Sequence, residues 1–362
     1  MQAFPCPRLP VSVVPHGELL LRYKIAVRLG VWLFLCVVWG LSWVGIKLSL
    51  EGVPPFLGSG VRFAVAVPLL YAWARARNVP LGLDRQIWPV MLWSAFFNYG
   101  FSYGLVYWGE QYLTAGVTSI LYATFPVFTA VFVARVLPDE RIGWGAVAGL
   151  LTAFAGVVVT FSQDLSIDGV VGSQISAALA VVLGAAGGAL STVLIKWRLS
   201  HLHPVSLTLW QMILGSVGLL ACGLALGEWR TVTWTPRSVL GILYLGIVAS
   251  ALAFTLYYWL LQRVPAVAVS CMIFVNPVVA LLGDHWIYGS EVTSRMVLGM
   301  LLIFAGIGLS EFRAFRYGRR RVVTGLEPAE TTAVDGTLLL GKEDPGGTSS
   351  RMAAEERASG SG

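Results

Sequence analysis

The 362-residue sequence predicts an all-α integral membrane protein of ten transmembrane helices, arranged as two inverted five-helix repeats. Three observations lead there. The chain is 56% hydrophobic and 12% charged, with a mean hydropathy of +0.74, whereas a soluble domain carries about a quarter charged residues. Apolar runs close to the length that crosses about 30 Å of hydrocarbon at about 1.5 Å per residue recur along almost the whole chain. The third is that the chain aligns with itself. At an offset of 151, Tyr107-Trp108 falls on Tyr258-Trp259, Gln111 on Gln262, Ala115 on Ala266, Ser119 on Ser270, Pro126-Val127 on Pro277-Val278 and Glu140 on Glu291. A one-residue gap then pairs Gly149 and Gly156 with Gly299 and Gly306, and an offset of 149 pairs Ile46-Lys47 with Ile195-Lys196 and Pro55 with Pro204. Five is odd, so the second copy enters the membrane from the opposite side.

The chain opens on a leader, residues 1–28, whose Pro5, Pro7, Pro10 and Pro15 stand where a cleaved signal peptide would need an apolar run and a small-residue cleavage site. Insertion is therefore assigned to the first helix, 29–50, which carries Trp39-Gly40-Leu41-Ser42-Trp43. The second, 55–74, starts at Pro55 and holds Arg62 about 9 Å inside, counting about 1.5 Å per residue from Phe56. An intramembrane charge marks a functional site by default, although an arginine at that depth also reaches the interface by snorkelling. The third, 87–107, places Asn98 near mid-depth beside Ser102, with Tyr99, Tyr103 and Tyr107 spaced i, i+4, i+8 along one stripe. Buried amides there serve either a substrate or interhelical hydrogen bonds.

The fourth helix, 115–135, contains Pro126 about 16 Å from its start, near the midplane at about 1.5 Å per residue. Proline removes a donor and frees the carbonyl four residues earlier, at Tyr122. Broken backbone at that depth is either a packing kink or the lining of a cavity. Glu140 heads the fifth helix, 143–161, where a carboxylate complements the positive end of the helix dipole, and Gly145, Gly149 and Gly156 offer close packing.

The second copy repeats this plan. The sixth helix, 173–195, has the small pair Gly184 and Gly188, and the seventh, 205–226, has Trp210 and Gln211, the latter the uncharged counterpart of Arg62. The eighth, 239–261, ends in Tyr258-Trp259, and the ninth, 266–286, sets Asn276 beside Pro277, which frees the Ile273 carbonyl. Glu291 heads the tenth, 292–312, which carries Gly299 and Gly306. Glu110, Asp284 and His285 are the titratable candidates for proton coupling, all close to an interface. The stretch 313–362 reads as a disordered cytoplasmic tail. Its Arg313 to Arg321 run is a topology determinant or an anionic-lipid contact, and the residues after Arg321 are too rich in Gly, Ser, Thr and Glu to order themselves.

Lysine and arginine asymmetry sets orientation. Arg22, Lys24, Arg28, Arg75, Arg77, Arg85, Arg135, Arg141, Lys196, Arg198, Arg263 and the Arg313 to Arg321 run gather on one side, against Lys47, Arg230, Arg237 and Arg295 with Asp164 and Asp168 on the other. Both termini are expected in the cytoplasm and the protein in the cell membrane.

The sequence resembles the drug/metabolite transporter superfamily, specifically its EamA-type ten-helix members. The resemblance rests on Trp39-Gly40-Leu41-Ser42-Trp43, on Pro55 followed by Arg62, and on the twice-used Pro126, Glu140, Gly149, Gly156 and Pro277, Glu291, Gly299, Gly306. It covers about residues 29 to 312 and implies export or exchange of amino acids, other metabolites or drugs without ATP. The residues agree: there is no GxxxxGK[ST] loop, no HExxH pair, no zinc constellation among four histidines, and no paired-cysteine metal motif, so neither cofactor nor enzyme chemistry is indicated.

The expected activity is secondary transport of a small organic solute by alternating access. A pore with the same repeat, and a membrane enzyme or scaffold, are the competing classes. The expected partners are that solute and membrane lipid, with no nucleic acid. The expected site lies near the midplane between the repeats, bordered by Arg62, Asn98, Tyr99, Tyr103, Tyr122, Trp210, Gln211 and Asn276, with the repeated prolines, glutamates and glycines structural.

Overall fold

A computed structural model describes residues 16–113, 115–137, 140, 142–160, 172–279 and 294–323. The described residues form ten longer helices, a 3₁₀ turn at Glu228–Arg230 and no strand. We number them α1 (His16–Leu50), α2 (Pro55–Ala76), α3 (Trp88–Ala95 continued by Phe96–Tyr103 and Gly104–Gly109), α4 (Ala115–Val136) and α5 (Trp144–Thr160). The second five are α6 (Gly172–Leu199), α7 (Pro204–Ala225), α8 (Pro236–Leu261), α9 (Ala266–Val279) and α10 (Ser294–Val323). Six of them, α1, α2, α4, α6, α7 and α8, are long and apolar enough to cross a membrane outright.

The outer surface is the inverse of a soluble one. Leu33, Phe34 and Val37 on α1, Trp93 and Phe96 on α3, Leu179 and Leu183 on α6, Leu240 and Leu243 on α8 and Leu298 and Leu301 on α10 are all exposed. An apolar belt of that extent has lipid as its solvent. Inside, the core is aromatic and aliphatic, from Trp39 and Trp43 through Phe63, Tyr99 and Tyr107 to Phe254 and Met272.

Local chemistry sets the helix ends. Pro55, Pro204 and Pro236 occupy the first turns of α2, α7 and α8, where a missing N–H costs no hydrogen bond. Thr235 and Ser238 form a reciprocal capping box on α8. The Glu228 carboxylate, from the connection after α7, accepts from the Phe56 and Leu57 amides at 3.4 and 2.8 Å and so caps α2 from another element.

Several expectations need correction. Helix α1 begins at His16 rather than at residue 29, and α10 runs on to Val323, since little in either extension breaks a helix. Helices α3 and α8 are not uniform: residues Phe96–Tyr103 and Ile247–Leu252 are π-helical, at equivalent places in the two repeats. Helix α4 breaks after Tyr122 and resumes at Phe125, and α9 passes through a 3₁₀ turn at Cys271–Phe274. Glu140 also serves another helix: its Oε2 accepts from the Ala266 amide at 3.0 Å, capping α9. The positions Asp164, Asp168, Asp284, His285 and Glu291, and the tail beyond Val323, lie outside the described residues.

Glycines bring α5 against α10. A side chain on Gly156 would stand 2.7 Å from the Gly299 carbonyl, and one on Gly306 would stand 2.6 Å from that of Gly149. Such backbone-to-backbone contact is open only to the smallest residues.

Candidate functional site

Besides a short π-turn at Ile195–Leu199 near the end of α6, the π-helical stretches of α3 and α8 are where the chemistry concentrates. A π-turn displaces the regular i→i−4 ladder and leaves backbone groups free for other partners. In α8, the Ala249 carbonyl accepts from Trp39 Nε1 of α1 at 3.1 Å and from Arg62 Nη2 of α2 at 3.5 Å, while Arg62 Nε donates to Ser250 Oγ at 2.8 Å. In the other repeat, Gln211 Nε2 of α7 donates to Ser94 Oγ just before the π-stretch of α3, at 2.7 Å. Arg62 and Gln211 thus hold equivalent helix pairs together, α2 to α8 and α7 to α3.

Arg62 does not snorkel. It is 0% exposed, its guanidinium carbon lies 5.1 Å from the Phe63 ring centre and 4.9 Å from that of Tyr103, and its Nη1 has no hydrogen-bond partner. Among the described residues no carboxylate pairs with it.

A cavity of about 60 Å³ opens between the repeats. Its wall is built largely from repeat-equivalent positions: Tyr103 with Phe254, Val106 with Tyr257, Tyr122 with Ile273 and Phe125 with Asn276 at the offset of 151, and Trp43 with Thr192 at 149. Trp39, Ser42, Ile46, Asn98, Ser270 and Met272 complete it. The cavity therefore straddles the pseudo-two-fold axis that relates the halves. The breaks in α4 and α9 place Tyr122 and Phe125 on one side of it and Ser270 to Asn276 on the other.

Most polar groups of the wall already have partners. The Tyr122 hydroxyl meets Ser102 Oγ at 3.3 Å, and that of Tyr257 meets Thr192 Oγ1 at 2.8 Å. Two fully buried atoms of the wall have none: Trp43 Nε1, a donor, and Asn276 Oδ1, an acceptor. Buried polar groups left unpaired are uncommon and costly.

Of the residues expected at the site, Asn98, Tyr103, Tyr122 and Asn276 line the cavity. Arg62 and Tyr99 stand behind it, Tyr99 stacked 6.1 Å from Tyr103 with its hydroxyl 3.0 Å from that of Tyr258. Trp210 and Gln211 are set apart: the Trp210 indole donates to the Leu81 carbonyl at 2.9 Å and packs on Trp88. Sequence reasoning missed Trp39, Trp43, Thr192, Phe254 and Tyr257 as wall residues. The repeat offset held the signal, because applying it to Tyr103 gives Phe254.

A second, wider recess of about 480 Å³ lies at one end of the bundle, between the α1–α2, α3–α4 and α7–α8 connections, with Glu51, Trp108, Gln111, Tyr112 and Glu228 on its wall.

Comparison with known proteins bears on what this arrangement does. The model of the EamA-like transporter family matches residues 28–162 and, a second time, 175–311. The uncharacterized transporter YvbV of Bacillus subtilis is 30% identical over 76% of this chain and 88% of its own length. The transporter YoaV of the same organism is 25% identical over 82% of this chain and 100% of its own. A protein of Salmonella typhimurium described as a probable amino-acid metabolite efflux pump is 29% identical over 81% of this chain and 97% of its own. A solved crystal structure superposes with a TM-score of 0.67 at 20% identity, over 79% of this chain and 98% of that one, which establishes the shared fold.

Proposed function

Because this chain belongs to the EamA-like transporter family, and is a multi-pass membrane transporter rather than an enzyme, we propose that it exports or exchanges a small organic solute of the amino-acid class without ATP, by alternating access. The observation that carries this reading is the cavity on the repeat axis with one unpaired donor, Trp43 Nε1, and one unpaired acceptor, Asn276 Oδ1. Inverted repeats place transport sites at their interface.

The wall argues for the class of solute. It is aromatic with a few neutral polar groups and bears no formal charge, which suits a neutral or zwitterionic molecule better than a phosphate ester. Arg62, behind the Tyr103 ring, supplies a positive field that favours the carboxylate end of a zwitterion. Asn98, Tyr103, Tyr122 and Asn276 make the contacts, with Arg62 and Tyr99 behind them. The positions of Trp210 and Gln211 suit anchoring instead.

The size of the cavity argues for the mechanism. About 60 Å³ is room for a few waters, whereas small-molecule pockets measure roughly 300–1,000 Å³, so a solute requires the helices to part. With the repeats inverted, parting toward one face and then the other results from exchanging the conformations of the halves. Charge asymmetry assigns the leader and tail to the cytoplasm of the cell membrane, and the recess beside Glu51 and Glu228 to the outer face.

The test is reconstitution into liposomes with labelled amino acids and metabolites. Saturable uptake accelerated by solute on the opposite side is expected, and Asn98→Ala and Asn276→Ala should lower it more than they lower folded protein. Bound solute should also shield a cysteine at either position from a small thiol reagent. Unitary conductance without trans-stimulation would replace the reading with a pore.

A further inference from the structure

Two lysines that play no part in the cavity are placed symmetrically at opposite ends of the bundle. Lys47, near the end of α1, donates to the Glu110 carbonyl and, at 2.7 Å, to that of Leu113. Lys196, near the end of α6, donates to the Leu261 carbonyl and, at 2.9 Å, to that of Val264. The acceptors are themselves equivalent, Glu110 with Leu261 and Leu113 with Val264 at the offset of 151. Each ammonium thus bonds the end of a π-bulged helix, α3 or α8, and the connection into a broken one, α4 or α9.

On the α6 side a carboxylate joins in. Glu140, just beyond α4, has Oε1 3.6 Å from Lys196 Nζ and Oε2 on the Ala266 amide that begins α9. The ends of α4, α6, α8 and α9 therefore meet at one largely buried ion pair. Helices α4 and α9 are also the two whose breaks carry the cavity wall, Tyr122 and Phe125 on one and Ile273 and Asn276 on the other. A segment broken at mid-depth and held at its end moves as a unit when that hold is released.

We propose that the Glu140–Lys196 pair is the latch of the gate on the α6 end, cytoplasmic in the assigned orientation. It parts when the cavity opens to that face, and the Lys47 clasp is its counterpart at the other end. The balance between the two sets which way the empty cavity faces. This rests on the alternating-access reading. The two lysines are positioning residues for that cycle and touch no solute.

The experiment uses the full chain with its four cysteines replaced by alanine and Ser270→Cys as a reporter in the cavity wall. A membrane-impermeant thiol reagent is applied to right-side-out and to inside-out vesicles, and the ratio of the two rates is read, which cancels any loss of folded protein. In the parent, a saturating dose of the amino acid that gives the strongest trans-stimulated uptake in liposomes should change the ratio. Glu140→Gln and Lys196→Met should each shift it toward cytoplasmic labelling by about two- to five-fold, the population change that a partly exposed ion pair supports. Lys47→Met should shift it the opposite way, and Glu140→Asp should stay near the parent. If the parent ratio ignores solute, alternating access itself is wrong. If the parent responds but Glu140→Gln and Lys196→Met leave the ratio where it was, the latch is overturned while the transport reading stands.

Discussion

Arg62→Gln separates anchoring from a role in solute binding, because the other repeat already uses glutamine at that place. Gln211 holds α7 to α3 through one bond of 2.7 Å, so a glutamine in α2 is suited to keep one bond to α8 in place of the 2.8 Å contact with Ser250 Oγ. The substitution gives up the long contact with the Ala249 carbonyl and the two ring contacts, together about 1–2 kcal/mol. It also removes a buried charge, which acts in the opposite direction. The expected change in melting temperature is therefore small, within about 4 °C.

Transport should respond far more strongly. The guanidinium carbon lies 4.9 Å from the Tyr103 ring centre, which puts a carboxylate on the cavity side of that ring roughly 8 Å from the charge. At an effective dielectric constant of about 20 the attraction is about 2 kcal/mol, near 30-fold in affinity. Competition by an amino acid and by its carboxamide, measured on the reconstituted parent and variant, reads this directly: the acid should weaken about 30-fold and the amide hardly at all. Equal behaviour of parent and variant toward the acid, with normal folded yield, would refute the argument and leave Arg62 an anchor like Gln211.

Further outcomes are expected elsewhere. Tyr99→Phe removes the 3.0 Å hydroxyl pair with Tyr258 behind the wall and should cost about 1 kcal/mol by thermal unfolding in detergent, with transport within two-fold of the parent. Gly306→Leu forces α10 from α5, where the Gly149 carbonyl lies 2.6 Å from the added carbon, and should reduce folded yield on gel filtration; a normal yield would show that this crossing is dispensable. Deletion after Val323 should leave melting temperature and transport unchanged, since the tail's composition offers the helices nothing to pack. Single cysteines at Thr231 and His201, in the cysteine-free chain, should label from opposite faces of the membrane, Thr231 from outside intact cells; labelling of His201 alone from outside would reverse the assigned orientation, and labelling of both from outside would overturn the topology.

Much of the architecture was determined by sequence alone. Lipid demands apolar spans of fixed length, so composition announces the helices, and a five-helix unit used twice has its inversion set by parity. A rise of about 1.5 Å per residue also assigns Asn98, Pro126 and Asn276 a depth near the midplane, from the sequence alone. Which way a side chain faces at that depth was decided only in three dimensions. Counting regular turns does not anticipate that α3 and α8 pass into π-helix at Phe96 and Ile247, which re-aims everything after them and frees the Ala249 carbonyl for Trp39 and Arg62. The glutamates show the same limit: a carboxylate at a helix head reads as that helix's own cap, yet Glu140 directs its oxygens to α9 and Lys196. Its partners lie 126 and 56 residues away in the chain, and only folding brings them within reach.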